Sequence, residues 1–169
     1  MNLLKASIFF LCLAYGSSAI GGGLFGPTVF QKRFQFPANI TVLITRKKFN
    51  PSKHKLDAKQ YLIDGKHPFG ADSPDWPDDE IDRFEVVFDG TSVNIPRAVY
   101  SDCYSVMLAP HGVKGAKASY GDIEVVADES GKSVMIIMSS CQCAADAYTV
   151  CWLISKNGDH RRVLEDDGS

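Results

Sequence analysis

The residues best suited to chemistry in this sequence lie in two adjoining segments of opposite charge. Residues 31–60 hold eight lysines and arginines against the single acid Asp57, and residues 61–90 hold nine acids against two cations. Segments of opposite sign commonly face each other or cover opposite rims of a fold. In the alternative interpretation, the cations form a patch that binds an anionic glycan or other polymer. The predicted polyanion contacts are Arg46, Lys47, Lys48, Lys53, Lys55 and Lys59.

Six of the acids are concentrated in the eleven positions 72–82. Two carboxylates in one cleft would serve a hydrolase as general acid and base, as they do in glycosidases. Calcium also prefers carboxylate oxygens, but this segment lacks the ligand spacing of an EF-hand loop and contains stiffening prolines. We therefore predict no metal and no cofactor, and we keep hydrolysis by the 72–82 carboxylates as the alternative to a binding function.

Four cysteines follow the N-terminal apolar segment, namely Cys103, Cys141, Cys143 and Cys151. An even number in an exported chain predicts two disulfides. Cys141 and Cys143 are poor partners for each other, because the small ring that they would close strains the bond. Two pairings remain, in which Cys103 and Cys151 each join one member of the Cys-Gln-Cys unit. A four-thiolate zinc site is disfavoured because it needs paired C-x-x-C motifs.

The first 19 residues have the features of a secretory signal peptide. Lys5 precedes the apolar run 6–15, and the small residues Ser17 and Ala19 suit a signal peptidase. The run is too short to cross a bilayer as a stable helix. We therefore expect cleavage after Ala19, a secreted or periplasmic location and no membrane span in the mature protein. The glycine-rich residues 20–27 are expected to form a flexible N-terminus.

Composition limits the classes of function further. The chain has 169 residues, a formal net charge of −2 and 45% hydrophobic residues. These values are typical of a globular protein, and the lack of a basic excess argues against nucleic acid as a partner. Asn39 begins an Asn-Ile-Thr sequon, which becomes a glycosylation site if the host is eukaryotic.

Most of the secondary structure that positions the charged residues and cysteines is predicted to be β-strand. Runs of β-branched and aromatic residues bounded by turn residues predict strands, and they occur at 34–36, 40–45, 60–63, 84–88, 92–95, 123–127, 133–138, 148–154 and 161–164. Asp-Gly and Asn-Gly dipeptides at 64–65, 89–90 and 157–158 predict tight turns, since these residues tolerate positive φ.

Only short helical turns are expected, at 77–80 and at 96–100, where proline occupies a first-turn position. We predict an all-β fold in which residues 28–169 form one domain. Its architecture is expected to be a small β-sandwich or barrel of about eight or nine antiparallel strands with one or two short helical turns.

Three stretches carry a resemblance to known proteins. They are residues 61–70, residues 77–81 with the turn and proline that follow up to position 96, and residues 144–152. Together they look like a loosely defined set of uncharacterised exported bacterial β-proteins. The resemblance implies export and an all-β fold and carries no activity. We expect a non-catalytic binding domain or structural accessory whose partner is an extracellular or envelope polymer or protein.

Overall fold

The runs of β-branched and aromatic residues fold as strands. The computed structural model describes residues 18–20, 29–35, 38–71, 76–106, 108, 123–140 and 148–166. The strands in this part of the chain are β1 (Ser18–Ile20), β2 (Val29–Phe34), β3 (Ile40–Lys48), β4 (Leu56–Asp57), β5 (Leu62–Ile63), β6 (Asp79–Phe88), β7 (Thr91–Val93), β8 (Ile123–Ala127), β9 (Ser133–Ser139), β10 (Tyr148–Ser155) and β11 (His160–Asp166). Two 3-10 helices, Pro51–Lys53 and Arg97–Val99, complete the regular structure of the described residues.

The strands form two main sheets and one small hairpin. The first sheet has the order β1-β2-β3-β6-β7, the second has the order β11-β10-β9-β8, and β4 pairs with β5 alone. Every pairing of named strands is antiparallel. Both main sheets have free edges, so the all-β fold is a sandwich and not a closed barrel.

The main core lies where alternate side chains of the two sheets meet. Successive residues of a strand point to opposite faces, so Val42 and Ile44 of β3 are buried, as are Val150, Trp152 and Ile154 of β10. The indole nitrogen of Trp152 donates a hydrogen bond to the carbonyl of residue 99 at 3.2 Å, which satisfies its polar group inside the core.

A second, smaller core lies beneath the segment that connects β3 to β6. It contains the buried residues Phe49, Ile63, Ala71 and Tyr104. Gly70 joins this core to the main one with a φ of +79°, and a Cβ at this position would lie 2.5 Å from the Tyr104 carbonyl oxygen. Only glycine combines this backbone conformation with so close an approach.

The predicted strands agree with the observed ones more closely in the second sheet than in the first. β8 has the predicted bounds, and β9, β10 and β11 extend the predicted runs by one to three residues. The Asp89-Gly90 turn has φ values of 47° and 83° and closes the hairpin of β6 and β7, as predicted. Within the described residues, β1 and β4 are strands that the pattern did not predict, and β2 shares only Phe34 with the predicted run 34–36.

The predicted helical turn at 77–80 is wrong, whereas the turn at 96–100 is present as the 3-10 helix Arg97–Val99. Asp79 and Glu80 instead begin β6. β3 continues past its predicted end, and its cationic residues Lys47 and Lys48 pair in register with these two acids. Tertiary pairing therefore overrides the local helical signal at this point.

β1 lies across the predicted signal-peptide boundary. Ser18 is opposite Gln31 and Ile20 is opposite Val29 in its pairing with β2. Cleavage after Ala19 would remove Ser18 and Ala19 and leave Ile20 as the one remaining residue of β1. Among the described residues, no helix is long and apolar enough to cross a membrane.

Candidate functional site

The end of β3 and the start of β6 bring the two charged segments together. Lys48 is opposite Asp79 and Lys47 is opposite Glu80, and a β-bulge at Asp82 of β6 shifts the register between Thr45 and Arg46. A bulge inserts one unpaired residue and bends the strand. The parts of the basic and acidic segments that lie in β3 and β6 therefore face each other across one strand pair.

Arg46 is used inside the fold. Its guanidinium Nη1 lies 2.6 Å from Asp79 Oδ2, and the two side chains are 6% and 11% exposed. The same nitrogen donates a longer hydrogen bond, of 3.4 Å, to the carbonyl of Val106. Burial raises the pKa of the Asp79 carboxyl, and the neighbouring guanidinium opposes this change. Arg46 therefore belongs to a buried ion pair and is not presented to a polymer.

Lys47 is neutralised nearer to the surface. Its ammonium lies 2.8 Å from Asp82 and 3.7 Å from Glu80, and its side chain is 40% exposed. The hydrogen bond with Asp82 raises the pKa of Lys47. Two of the six predicted polyanion contacts, Arg46 and Lys47, thus have carboxylate partners within the chain.

The other four predicted contacts, Lys48, Lys53, Lys55 and Lys59, are exposed. None of them lies within 4 Å of a carboxylate in the described part of the chain. Three of them belong to residues 49–66, which we call the basic loop. The structure thus separates the six residues into an internally paired group and an exposed group.

Local hydrogen bonds fix the backbone that carries the exposed lysines. Asn50 caps the 3-10 helix Pro51–Lys53 by accepting a hydrogen bond from the backbone nitrogen of Ser52 at 3.1 Å. Asp57 accepts one from the backbone nitrogen of Lys59 at 3.0 Å. Such side-chain-to-backbone bonds stabilise turns. The basic loop is therefore a structured element.

A buried histidine attaches the basic loop to the sandwich. His54 Nδ1 lies 2.8 Å from Asp64 Oδ2, and its Nε2 lies 3.4 Å from Glu80 Oε2. The His54 side chain is only 6% exposed, and its ring stacks on Phe49 with a centroid distance of 4.7 Å. Arg97 Nη2 lies 3.1 Å from the same Glu80 oxygen, so the carboxylate on β6 contacts both a histidine and an arginine.

Asp64 holds the far end of the basic loop. Its backbone has a φ of 54°, which is uncommon outside glycine. Its carboxylate accepts hydrogen bonds from His54 and from the backbone nitrogen of Lys55, and these bonds lower the pKa of Asp64. The side chain thus joins the two ends of the segment that bears Lys55 and Lys59.

An aromatic pair borders the basic loop. The rings of Tyr61 and Trp76 are stacked, with centroids 5.3 Å apart and planes 11° apart. Both residues are half-buried, and Tyr61 has a φ of 53°. The stacked pair therefore begins two positions along the chain from Lys59.

Three of the carboxylates considered for hydrolysis contact cations of the fold. Asp72 and Asp75 are outside the described residues. Asp79 and Glu80 are buried against cations, and Asp82 lies on Lys47. Among the described residues, no group of three or more histidine, cysteine, aspartate or glutamate side chains is arranged to hold a metal ion.

The two described cysteines lie on opposite sides of the second sheet and are not joined to each other by a disulfide. Cys103 is buried, and burial raises its pKa to about 12. Cys151 is half-buried on the outer face of β10, and partial burial raises its pKa. Cys141 and Cys143 lie outside the described residues, so the disulfide pairing stays a prediction.

Asn39 occupies an accessible position at the start of β3. It is exposed, its backbone nitrogen donates to Asp89 Oδ1 at 3.1 Å, and its carbonyl accepts from the backbone nitrogen of Asp89 at 2.7 Å. Glycosylation there stays a prediction that depends on the host.

The contacts of His54 with Asp64 and Glu80 were not predicted from the sequence. The three residues are separated by 10 and 26 positions with no motif spacing between the histidine and either acid. The Asp64-Gly65 turn signal was the one local indication, and it identified a turn and not a partner for His54.

Comparisons of the chain with protein families, with curated proteins and with solved structures give no match.

Proposed function

We propose that this chain is an exported, non-catalytic binding module that uses the exposed lysines of the basic loop and the neighbouring Lys48 to bind an anionic polymer outside the cytosol. The proposal includes the predicted signal peptide, a secreted or periplasmic location and disulfide formation in the oxidising compartment. The resemblance to exported β-proteins is in line with it.

The separation of the cations into two groups is the observation that carries the proposal. Arg46 and Lys47 have carboxylate partners at 2.6 and 2.8 Å. Lys53, Lys55 and Lys59 have no such partner in the described part of the chain and extend from one loop. Charges of one sign that are left unpaired on one element create a local field that attracts a polyanion.

The attachment of the loop supports the same function. A loop that is already ordered loses less conformational entropy when a ligand binds. His54, Asp64 and Glu80 supply this order through the two contacts of the buried imidazole, and Asn50 and Asp57 add local hydrogen bonds. In the 72–82 segment, the carboxylates of Asp79, Glu80 and Asp82 form ion pairs with cations of the fold. This use of the carboxylates favours a binding function over hydrolysis.

The test compares two variants that remove the same charge from different places. Binding of a heparin fragment, used as the probe polyanion, is measured by titration calorimetry for the wild type and for Lys53→Gln/Lys55→Gln. The control is Lys132→Gln/Lys156→Gln, which alters two exposed lysines in the β8–β9 and β10–β11 turns. All three proteins are compared at equal ionic strength.

The loop variant should bind about tenfold to thirtyfold more weakly, since each lysine contributes about 1 kcal/mol at contact in water. The control should bind like the wild type, and wild-type affinity should fall steeply with added salt. Equal loss in both variants would indicate a nonspecific charge effect. An affinity independent of salt would also contradict the proposal.

A further inference from the structure

The outer face of the four-stranded sheet carries a continuous apolar surface. Val126, Leu153 and Val163 are 42%, 42% and 44% exposed and are the exposed large hydrophobic residues of the described chain. They lie on three of the four strands of this sheet. Single exposed hydrophobic residues are ordinary, whereas a connected group marks a binding surface.

The strand register shows that these side chains are neighbours. Two adjacent rows cross the sheet on this face, one of Val126, Met135, Leu153 and Arg161 and the other of Glu124, Ile137, Cys151 and Val163. Residues directly opposite each other in an antiparallel pair have their Cβ atoms about 5 Å apart. The apolar members of the two rows therefore form one patch, which we call the outer-sheet patch.

The edge strand β11 gives this patch a self-complementary charge pattern. Its outward side chains are, in order, Arg161, Val163 and Glu165, opposite Leu153, Cys151 and Thr149 of β10. A cation and an anion are thus placed symmetrically about Val163. A two-fold axis that passes outside the sheet beside the Val163 side chain, parallel to the sheet and perpendicular to the strands, would bring each Arg161 against Glu165 of a second copy.

We propose that the outer-sheet patch binds a second copy of this chain, so that two sandwiches pack through their four-stranded sheets. Sheets that pack face to face lie about 10 Å apart with their strands roughly 30° from alignment. A two-fold interface must be complementary to itself, and the order cation, apolar residue, anion along β11 has this property. Glu124, at the other end of its row, interacts with Lys32 of its own chain, which reduces repulsion between the two copies of Glu124.

The first experiment measures the oligomeric state by sedimentation equilibrium. The wild type should be a dimer at micromolar concentration. Val163→Asp should weaken the dimer by at least about a hundredfold, because the two-fold axis would place its two carboxylates against each other. The matched control is Thr91→Asp, at an exposed position on β7 of the other sheet, and it should remain dimeric.

The second experiment tests the charge pattern with two exposed residues of β11. Arg161→Glu and Glu165→Arg should each weaken the dimer, and the double variant should restore it, since the exchange recreates the pattern. A monomeric wild type at about 100 µM, a range in which weak specific dimers form, would overturn the proposal. A dimer that tolerates Val163→Asp would overturn it too, because the two copies would then associate through another surface.

Discussion

The ion pair of Arg46 and Asp79 shows what a single residue contributes to the site. Asp79 Oδ2 lies 2.6 Å from the guanidinium, and both side chains are almost fully buried. We expect Asp79→Ala to lower the free energy of unfolding by about 3–5 kcal/mol, because it removes the carboxylate that neutralises a buried guanidinium. Urea denaturation followed by tryptophan fluorescence measures this loss.

A double variant separates charge from packing. Arg46→Met/Asp79→Leu removes both charges and keeps similar volume, so its stability should be close to that of the wild type or above it. Its affinity for the heparin fragment should be unchanged, because the proposal places the binding cations elsewhere. If Asp79→Ala costs less than about 1 kcal/mol, the pair behaves like a surface ion pair and the structural assignment fails.

For individual residues, the sequence indicated that a basic and an acidic segment adjoin along the chain, but not which cation pairs with which acid. Residues 31–60 and 61–90 were expected to face each other or to lie apart, and the charge count alone does not distinguish these arrangements. The β-bulge that shifts the register between Thr45 and Arg46 brings the two charged segments into contact at this point, because it sets which side chain of β3 lies near Asp79. A bulge depends on the pairing of distant strands, and no residue type in the sequence indicates it.

The basic loop is the element on which the proposed function depends, and His54 is its main attachment. His54→Ala removes the contacts with Asp64 and Glu80 and the stacking on Phe49. We expect amide hydrogen exchange in residues 49–66 to accelerate by about fivefold to tenfold, as expected for the loss of roughly 1 kcal/mol. Exchange in β9 and β10 should not change.

His160→Ala is the control, because it removes an exposed histidine from the edge strand β11. It should leave exchange in the basic loop as in the wild type. Equal exchange in His54→Ala and the wild type would show that the local hydrogen bonds of Asn50 and Asp57 suffice to order the loop.

The turn between β8 and β9 supplies a pH-dependent test of local structure. Asp128 accepts hydrogen bonds from the hydroxyls of Ser130 and Ser133 and from the backbone nitrogen of Lys132, and these bonds lower its pKa. A carboxyl with a lowered folded pKa contributes stability above its ordinary value of 3.8, and this contribution is lost as the pH falls through the folded pKa.

Asp128→Asn should therefore melt at a lower temperature than the wild type at about pH 5 and above, and the two melting temperatures should converge in acid below the ordinary pKa. Thermal unfolding followed by circular dichroism across this range checks the sign. Glu129→Gln removes the same charge from the next residue and should show no such convergence. A constant difference at every pH would mean that the carboxylate charge has no role in the turn.

Strands were easier to predict from the sequence than contacts between side chains, because strand formation depends more on local sequence patterns. β8 to β11 are joined to their neighbours in the sheet by sequence-local pairing, so alternation and turn residues were sufficient. The segment 77–80 has the composition of a helix start, but its acids pair with the cationic end of β3. The order of strands in the first sheet, in which β3 lies beside β6, depends on a long connection that local patterns do not describe.

The cellular compartment affects the covalent structure of the whole molecule. Export would remove the signal peptide, and an oxidising compartment would convert the thiols to disulfides. We expect the protein purified from its natural host to begin at Ile20 and to weigh less, by the mass of four hydrogen atoms, than its reduced form. Non-reducing peptide mapping should then find Cys103 and Cys151 each joined to Cys141 or Cys143. Thiols facing an oxidising environment in even number commonly form such bonds.

Thiol labelling of the same protein distinguishes oxidation from simple burial. A reduced Cys103 would resist iodoacetamide in the native state, because it is buried and its pKa is raised to about 12, but it would react fully in denaturant. An oxidised Cys103 would react only after reduction. An intact Met1 together with five thiols, Cys12 included, that label in denaturant without reductant would place the protein in a reducing compartment, and the proposal of an extracellular or periplasmic partner would then fail.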